Sequence, residues 1–403
     1  MNLKTVLIAS NLNVWSIRKG VGAPSFYKTL ELYNNKGCKV YFYTTERNCD
    51  VHELKNVTVI NVPRLRMVNV GRLYVIERFL YYIINQFVFL TCFFGNVKRH
   101  KDIDLFYAYE LEFVPALRLV SFVLKKPFVS RFQGTILKPL MKKALWRLRY
   151  FTHYLSIKIK SDMTIMTDDG TQGDQVIKLL RGNDSDVLFV KNGVDFKAAS
   201  GKDASGGVAK IMESMTNYKY SFISVSRLEK WKRVDRSIDV FNAFNDEMGG
   251  GRYLIVGDGS QKKWLAEYAE EKGIHRHVVF VGGLSSNDVN TLLSASSIFL
   301  SHYELSNVGN PLWEAMRNNC LVVTLNNGDT GTIIKDGFNG IISDESRYLD
   351  NAAKLVSCIR QNKQDDIIAN ATETLEHTVV SWSQRMNLEF DAVGRLCNKW
   401  REN

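Results

Sequence analysis

Residues 304–316, Glu-Leu-Ser-Asn-Val-Gly-Asn-Pro-Leu-Trp-Glu-Ala-Met, set an anion grip beside an acceptor for hydroxyl groups. Asn310 is expected to cap a helix whose first residue is Pro311, where a missing N–H costs nothing. Gly309 has no Cβ, so a ligand can approach the backbone closely. Free N–H groups and the positive end of the helix dipole then favour a negative group outside. Glu314, one turn in, can turn back to accept hydrogen bonds from hydroxyls. A ligand with phosphates beside sugar hydroxyls, a nucleotide sugar, suits such a loop.

Four other stretches have related chemistry. Arg227 and Lys232 bracket Arg-Leu-Glu-Lys-Trp-Lys, and both cations can converge on one diphosphate, the arginine as a fork and the lysine as a point charge. A solvated basic turn would look the same. Gly257-Asp258-Gly259 is either a tight turn or a phosphate cradle. Phe280-Val281-Gly282-Gly283 offers backbone groups to a nucleobase edge, or is simply a strand end. Thr324–Gly331 is a polar, glycine-containing loop able to close over phosphates.

These pieces need strands that end on them, and strand-then-helix alternation runs through the chain. Strands are expected at Thr5–Ser10, Lys39–Thr44, Val57–Asn61, Asp104–Tyr109, Pro127–Arg131, Met163–Thr167 and Val187–Val190. After a Gly/Ser/Ala-rich stretch at 199–217, read as a linker, they resume at Phe222–Ser226, Tyr253–Val256, Val278–Val281, Ile298–Ser301 and Leu321–Thr324. Helices are expected at Ser25–Asn35, Asp235–Asn245, Gln261–Lys272, Ser286–Ala295, Pro311–Arg317, Asp350–Arg360 and Ser381–Cys397. The fold class is α/β: two Rossmann-like doubly wound domains, 1–200 and 201–380, facing a central cleft, with ligands outside the carboxyl ends of the strands.

At 403 residues, two domains are the default for one chain. Met1–Ser10 reads as a first strand rather than a leader. The six cysteines are scattered without a C-x-x-C pair, which points to free thiols in a reducing cytosol. Residues 1–200 carry 30 Lys and Arg against 16 Asp and Glu, a surplus of 14 positive charges in a chain whose net charge is +11. The basic half therefore faces an anionic partner, and a membrane surface with a lipid-linked acceptor is preferred to nucleic acid, for which no module is visible. Phe79–Phe94 is apolar over 16 residues with basic flanks, short for a bilayer span and interrupted by Asn85 and Gln86. It is either a buried helix or an interfacial one. Lys138–Lys160 mixes basic and aromatic residues at helical spacing, as a monotopic anchor or a solvated helix face does.

The run Ser226-Arg-Leu…Lys232, then Ile255-Val-Gly-Asp-Gly, Val279-Phe-Val-Gly282 and Pro311-Leu-Trp-Glu-Ala-Met316, resembles the C-terminal domain of family 4 retaining glycosyltransferases of the GT-B fold. Asn192-Gly-Val-Asp195, the glycine loop at Gly20–Gly22 and the closing Trp382 helix are similar to that family's remaining features. The resemblance implies an acceptor-binding first domain completed by helix 381–403, and a nucleotide-sugar-binding second domain. It implies that Arg227 and Lys232 hold the donor diphosphate and that Glu314 binds the ribose, the three forming the catalytic set. Gly22, Gly257, Val281, Gly282, Ser306, Asn307, Val308, Gly309 and Asn310 complete the donor side. Ser306 stands where the pattern has its first glutamate, with Glu304 displaced by two residues. Arg233 replaces the glycine that usually follows the lysine. Tyr109, Glu110 and Gln133 stand where histidines are common and are the acceptor-side candidates.

The expected reaction is a retaining transfer, without metal or cofactor, from a nucleotide sugar (uridine the first choice of base) to a lipid-linked glycan in surface-polysaccharide assembly. In that scheme Lys232, Arg227 and the helix start stabilise charge on the departing diphosphate. The expected location is cytoplasmic, on the inner face of the plasma membrane. Asp102-Ile-Asp104 and Asp184-Ser-Asp186 are the nearest D-x-D patterns, and His275 and His277 lack a third ligand beside them, so no metal site is expected. A membrane-docked scaffold that keeps the pocket without turnover is the alternative. A nucleotide-cofactor oxidoreductase lacks the third glycine after Gly20-Val21-Gly22.

Overall fold

The computed structural model describes residues 3–12, 24–47, 49, 51–65, 74–97, 102–182, 186–195 and 205–402. The chain divides into two compact units. The first comprises Met1–Asp168, Gln172–Lys191 and Ser383–Asn403; the second comprises Asp169–Thr171 and Asn192–Trp382. The stretch read as a linker is in part a helix, Gly206–Met215. Ser205 caps the helix, Gly206 and Gly207 open it, and Val208 and Met215 are buried.

The first unit contains β1 (Thr5–Ser10), β2 (Lys39–Thr44), β3 (Val57–Asn61), β4 (Leu105–Tyr109), β5 (Phe128–Phe132), β6 (Met163–Thr167) and β7 (Val187–Val190), paired in the order β3-β2-β1-β4-β5-β6-β7. The second contains β8 (Tyr220–Val225), β9 (Gly251–Val256), β10 (Val278–Gly282), β11 (Ile298–Ser301), β12 (Leu321–Leu325) and β13 (Ile341–Ser343), in the order β10-β9-β8-β11-β12-β13. Every pairing between these strands is parallel. That agrees with strands such as β1 and β4, whose residues are buried on both faces.

In the second unit, side-chain alternation feeds two cores. Phe222, Tyr253, Ile255, Leu300 and Val323 pack with the Val234–Met248, Lys262–Glu271 and Asp350–Arg360 helices. Ile223, Leu254, Phe299 and Val322 face the other way, toward the Ser286–Ser294, Asn310–Arg317 and Gln364–Thr378 helices. The order of each sheet reverses once, between β1 and β4 and between β8 and β11. At such a switch the following loops diverge to opposite faces and leave a crevice for a ligand.

The last helix, Trp382–Glu402, is tied into the first unit by buried charge. Glu389 accepts hydrogen bonds from Arg131 at 2.8 Å, Arg385 at 3.0 Å and the Tyr107 hydroxyl at 2.7 Å. All three charged side chains are sealed from solvent. Burial opposes ionisation of Glu389, but Arg131, Arg385 and Tyr107 outweigh it and hold the carboxyl below its usual range.

The apolar run at 79–94 belongs to a longer helix, Tyr74–Val97, that is buried along one side only. Tyr82, Asn85, Gln86, Phe89 and Phe93 face inward. Both amides have protein partners. Asn85 exchanges hydrogen bonds with the Leu65 backbone, while Gln86 accepts from Ala116 N–H and donates to the Glu112 carbonyl. Ile76, Leu80, Ile84 and Phe87 form the opposite stripe and remain exposed. The 138–160 stretch, with its basic and aromatic residues at helical spacing, forms three short helices: Leu137–Leu140, Trp146–Arg149 and Phe151–Lys158. Leu145, at φ 56°, interrupts the helical run.

Candidate functional site

The switch between β8 and β11 brings together two of the predicted loops. Leaving β8, the chain passes through Arg227 to a short turn at Lys230–Lys232 and enters the next helix through Arg233. Arg233 adopts φ 43°, a left-handed conformation suited to the glycine it replaces. Its guanidinium is fixed to Asp235, with the closest contact at 2.8 Å. Beneath this turn, Gly257 and Gly259 permit close backbone approach. A Cβ on Gly257 would lie 1.8 Å from the Ser226 carbonyl oxygen, and one on Gly259 would lie 2.5 Å from that of Leu228. Gly257 N–H also donates to the Gly282 carbonyl at 2.8 Å, and Leu228 N–H to that of Asp258 at 2.9 Å. The Gly-Asp-Gly turn therefore packs under the Arg227 loop as a support. Val281 and Gly282 are partly exposed at the end of β10, with Gly282 at φ 87°.

Lys232 keeps some exposure as a residue, but its amine lies between two rings. Nζ is 4.1 Å from the Trp231 centroid and 3.7 Å from that of Tyr303. Arg227 lies over Trp231 at 5.9 Å. Burial and the charge of Arg227 bring the ammonium down to about 7, with Asp169 pulling the other way. Neither Trp231 nor Tyr303 was singled out from sequence as a functional residue. The only signal was an aromatic ring adjoining the lysine and another opening the 304–316 loop.

After β11 the chain forms the predicted loop and helix, with one shift. The cap is Gly309, and Asn310 opens the Asn310–Arg317 helix with Pro311 behind it. Asn310 Oδ1 instead accepts a hydrogen bond from Asn192 at 3.1 Å. Ser306 and Asn307 are turned inward. Ser306 Oγ donates to the Asp169 carbonyl at 2.7 Å and accepts from Val308 N–H at 3.1 Å. Asn307 accepts from Tyr303 N–H at 2.9 Å, and its own N–H donates to the Thr330 hydroxyl at 3.0 Å. Val308 is buried. These side chains brace the loop, leaving Gly309 and the helix start as its outward features. The displaced Glu304 is exposed, 3.5 Å from Arg233, while its N–H donates to the Trp231 carbonyl at 3.1 Å. That bond joins the two loops directly.

Glu314 lies one turn into the helix, and its carboxylate makes no hydrogen bond or ion pair with the described residues. Burial raises it to about 7, with Arg317 opposing and Asp195 assisting. Arg317 is directed elsewhere, onto the Asp195 carbonyl and Asn290. A carboxylate with its acceptor lone pairs free is suited to ligand hydroxyls.

In the first unit, Tyr109, Glu110 and Gln133 come together. Gln133 Nε2 donates to the Tyr109 hydroxyl at 3.1 Å, which donates to Ser25 at 3.0 Å. Gln133 N–H donates to the Glu110 carboxylate at 2.7 Å. Tyr109 is fully buried, so its contribution is to hold Gln133. Glu110 occupies a turn at φ 69° rather than the strand, while the Glu112 carboxylate meets Asn11 and Arg64. Gly22 lies outside the described residues.

Comparison with known proteins bears on this geometry. Residues 213–374 match the family model described as glycosyl transferases group 1. The alpha-monoglucosyldiacylglycerol synthase of Acholeplasma laidlawii is 21% identical over 194 residues, which is 47% of this chain and 48% of that protein. The matched stretch thus spans about half the length of that curated relative. Among solved structures, Anabaena HepE in complex with UDP-glucose is similar at a TM-score of 0.71 with 16% identity, covering 96% of this chain and 99% of that one. WaaG, a glycosyltransferase involved in lipopolysaccharide biosynthesis, is similar at 0.67 with 18% identity, covering 92% and 95%. The fold is accordingly that of GT-B glycosyltransferases: two Rossmann-like α/β domains with parallel sheets.

Proposed function

We propose that this chain is a retaining, metal-independent glycosyltransferase that moves a sugar from a nucleotide-sugar donor to a lipid-linked glycan in surface-polysaccharide assembly. The carrying observation is the convergence at the β8/β11 switch. Arg227 and Lys232 flank a turn whose Trp231 carbonyl is bonded to Glu304 N–H, in the loop that leads into the Asn310–Arg317 helix. Arg227, the helix start and Lys232, once an anion beside it has drawn its proton, supply positive potential for a departing nucleoside diphosphate, and that stabilisation is the main catalytic demand of such a transfer. Glu314, without a hydrogen-bond or ion-pair partner among the described residues, is assigned to the ribose hydroxyls. The UDP-glucose held by HepE makes a uridine nucleotide the first donor to test.

The lipid acceptor and the membrane are supported by the first unit. The Tyr74–Val97 helix exposes an apolar stripe, and Phe151, which follows exposed Lys142, Lys143, Arg147 and Arg149 in the chain, packs on its Phe79 and Tyr82 at 5.3 Å. Basic and apolar groups together suit the headgroup region of an anionic leaflet. A relative named for making a glycolipid points the same way. The test is release of nucleotide from a panel of UDP-, GDP- and ADP-sugars in the presence of crude lipid acceptor, with Lys232→Ala alongside. Acceptor-dependent release that Lys232→Ala abolishes supports the reading. Binding without release in any combination would favour a scaffold.

A further inference from the structure

We propose that Trp231 and Tyr303 are positioning residues that hold Lys232 between their rings in the nucleotide-free protein, so that binding a nucleoside diphosphate there takes up a proton. This rests on the reading of the Arg227–Lys232 loop given above. The Lys232 side chain makes no hydrogen bond or ion pair with the described residues; its near neighbours are the two ring faces. Those rings stand 6.4 Å apart at 70° and are themselves fixed. Tyr303 is buried, its N–H donates to Asn307 and its hydroxyl donates to the Val225 carbonyl at 3.1 Å. Trp231 is anchored through its carbonyl to Glu304 N–H.

The charged groups facing the amine are Arg227, from its own loop, and Asp169, from the loop bonded to Ser306. Ring faces attract a cation, but they also exclude the water that would solvate it. With Arg227 repelling and Asp169 attracting, the amine titrates at about 7. A diphosphate brings two or more negative charges and shifts the balance fully to the ammonium. The proton comes from solvent or buffer, and no covalent bond changes.

At pH 8 a group titrating at about 7 is roughly nine-tenths uncharged, so binding draws in about 0.9 proton. UDP itself is no source at that pH, because its terminal phosphate ionises near pH ~6. The test is calorimetric titration of UDP, and separately GDP, into the full chain at pH 8 in two buffers of different ionisation enthalpy. About 0.9 proton per bound nucleotide is expected for the wild type and none for Lys232→Arg. Trp231→Leu should still bind, yet take up clearly less proton than the wild type, because water reaches the amine and charges it beforehand. Trp231→Phe should restore the uptake. Binding without uptake in the wild type overturns the inference, as does unchanged uptake in Lys232→Arg or Trp231→Leu. Failure of both nucleotides to bind overturns instead the assignment of the loop, and this inference falls with it.

Discussion

The first unit should partition onto anionic membranes, and two sets of substitutions separate the forces responsible. Lys142, Lys143, Arg147 and Arg149 are all exposed. A basic residue near an anionic surface contributes about 1 kcal/mol, so replacing the four with glutamine should cost about 4 kcal/mol, on the order of a thousandfold in partitioning. Phe87 is 64% exposed and Leu80 53%, so over half of each side chain's ~1.5–3 kcal/mol of burial is still to be gained on docking. Leu80→Glu with Phe87→Glu removes that gain and adds the cost of desolvating two carboxylates, for a loss of at least a hundredfold. Since both positions face outward, the melting temperature should barely move, within the ~0.5 kcal/mol typical of surface changes.

The assay is co-sedimentation with vesicles of defined composition across a salt series. The glutamine variant should lose binding to anionic vesicles while a weak, salt-independent affinity for zwitterionic ones remains. The glutamate variant should lose both. At 0.1 M salt the Debye length is about 10 Å, so binding through the four cations must weaken steeply between 0.05 and 0.5 M, as order-of-magnitude bounds. Salt-insensitive binding, or a glutamine variant that binds like the wild type, would refute the electrostatic part. A glutamate variant that still binds zwitterionic vesicles would refute the apolar part.

Three further outcomes are expected. Glu314 accepts hydroxyl donors best when ionised and is raised to about 7, so its share of nucleotide affinity should be lost as pH falls through 7; because protonation of Lys232 pulls affinity the other way over the same range, the readout is the ratio of wild-type to Glu314→Gln affinity from pH 5.5 to 7.5, which should fall toward acid. Gly257→Ala would drive a Cβ to 1.8 Å from the Ser226 carbonyl at φ 137°, which should cost at least ~1–3 kcal/mol in strain and weaken UDP binding by displacing the Arg227 loop; wild-type stability and binding would contradict the supporting role. Glu389→Ala leaves Arg131 and Arg385 buried without their counter-charge, so urea unfolding should show a loss of about 3–5 kcal/mol. Because the folded carboxyl titrates below its unfolded value, the wild type's share of this stability is present above pH ~4.3 and is lost as pH falls toward and below the folded value.

Strands were legible where an apolar run of four to six residues was closed by turn chemistry. Thr5–Ser10, Lys39–Thr44 and Ile298–Ser301 begin and end where expected. Ile341–Ser343 escaped notice because three residues have no period to read, and it exists through its pairing with β12. The Gly206–Met215 helix was hidden by composition, since glycine and serine near a helix start resemble a linker until the burial of Val208 and Met215 is known. The positions of Arg227 and Lys232 could be read from loop chemistry, but the cage around the lysine could not. Trp231 and Tyr303 are 72 positions apart in sequence and meet only because the sheet order sets β8 beside β11. Arg131 and Glu389 were illegible for the same reason: each reads as an isolated charge until the last helix lies against β5.

Ser306 shows how a pattern can name a position correctly and mislead about its job. By its spacing from Glu314 it stands where the resemblance would put a glutamate facing the donor sugar, yet its hydroxyl is committed to the Asp169 carbonyl and Val308 N–H. The space around it is closed as well. A Cβ on Gly170 would fall 2.4 Å from Ser306 Oγ, and one on Gly328 would fall 2.2 Å from the Gly170 carbonyl, so the two glycine backbones press on this serine from outside. A glutamate there must push the Asp169–Thr171 segment away and give up both hydrogen bonds of the serine. Placing a glutamate there as Ser306→Glu should therefore lower the melting temperature and weaken nucleotide binding, since the Lys232 amine feels Asp169 directly. Ser306→Ala loses only one hydrogen bond on each side and should cost about 1–2 kcal/mol, with binding largely kept. If Ser306→Glu instead folds normally and transfers sugar faster, the loop has room for a carboxylate facing the donor, and the brace assigned here to Ser306 is wrong.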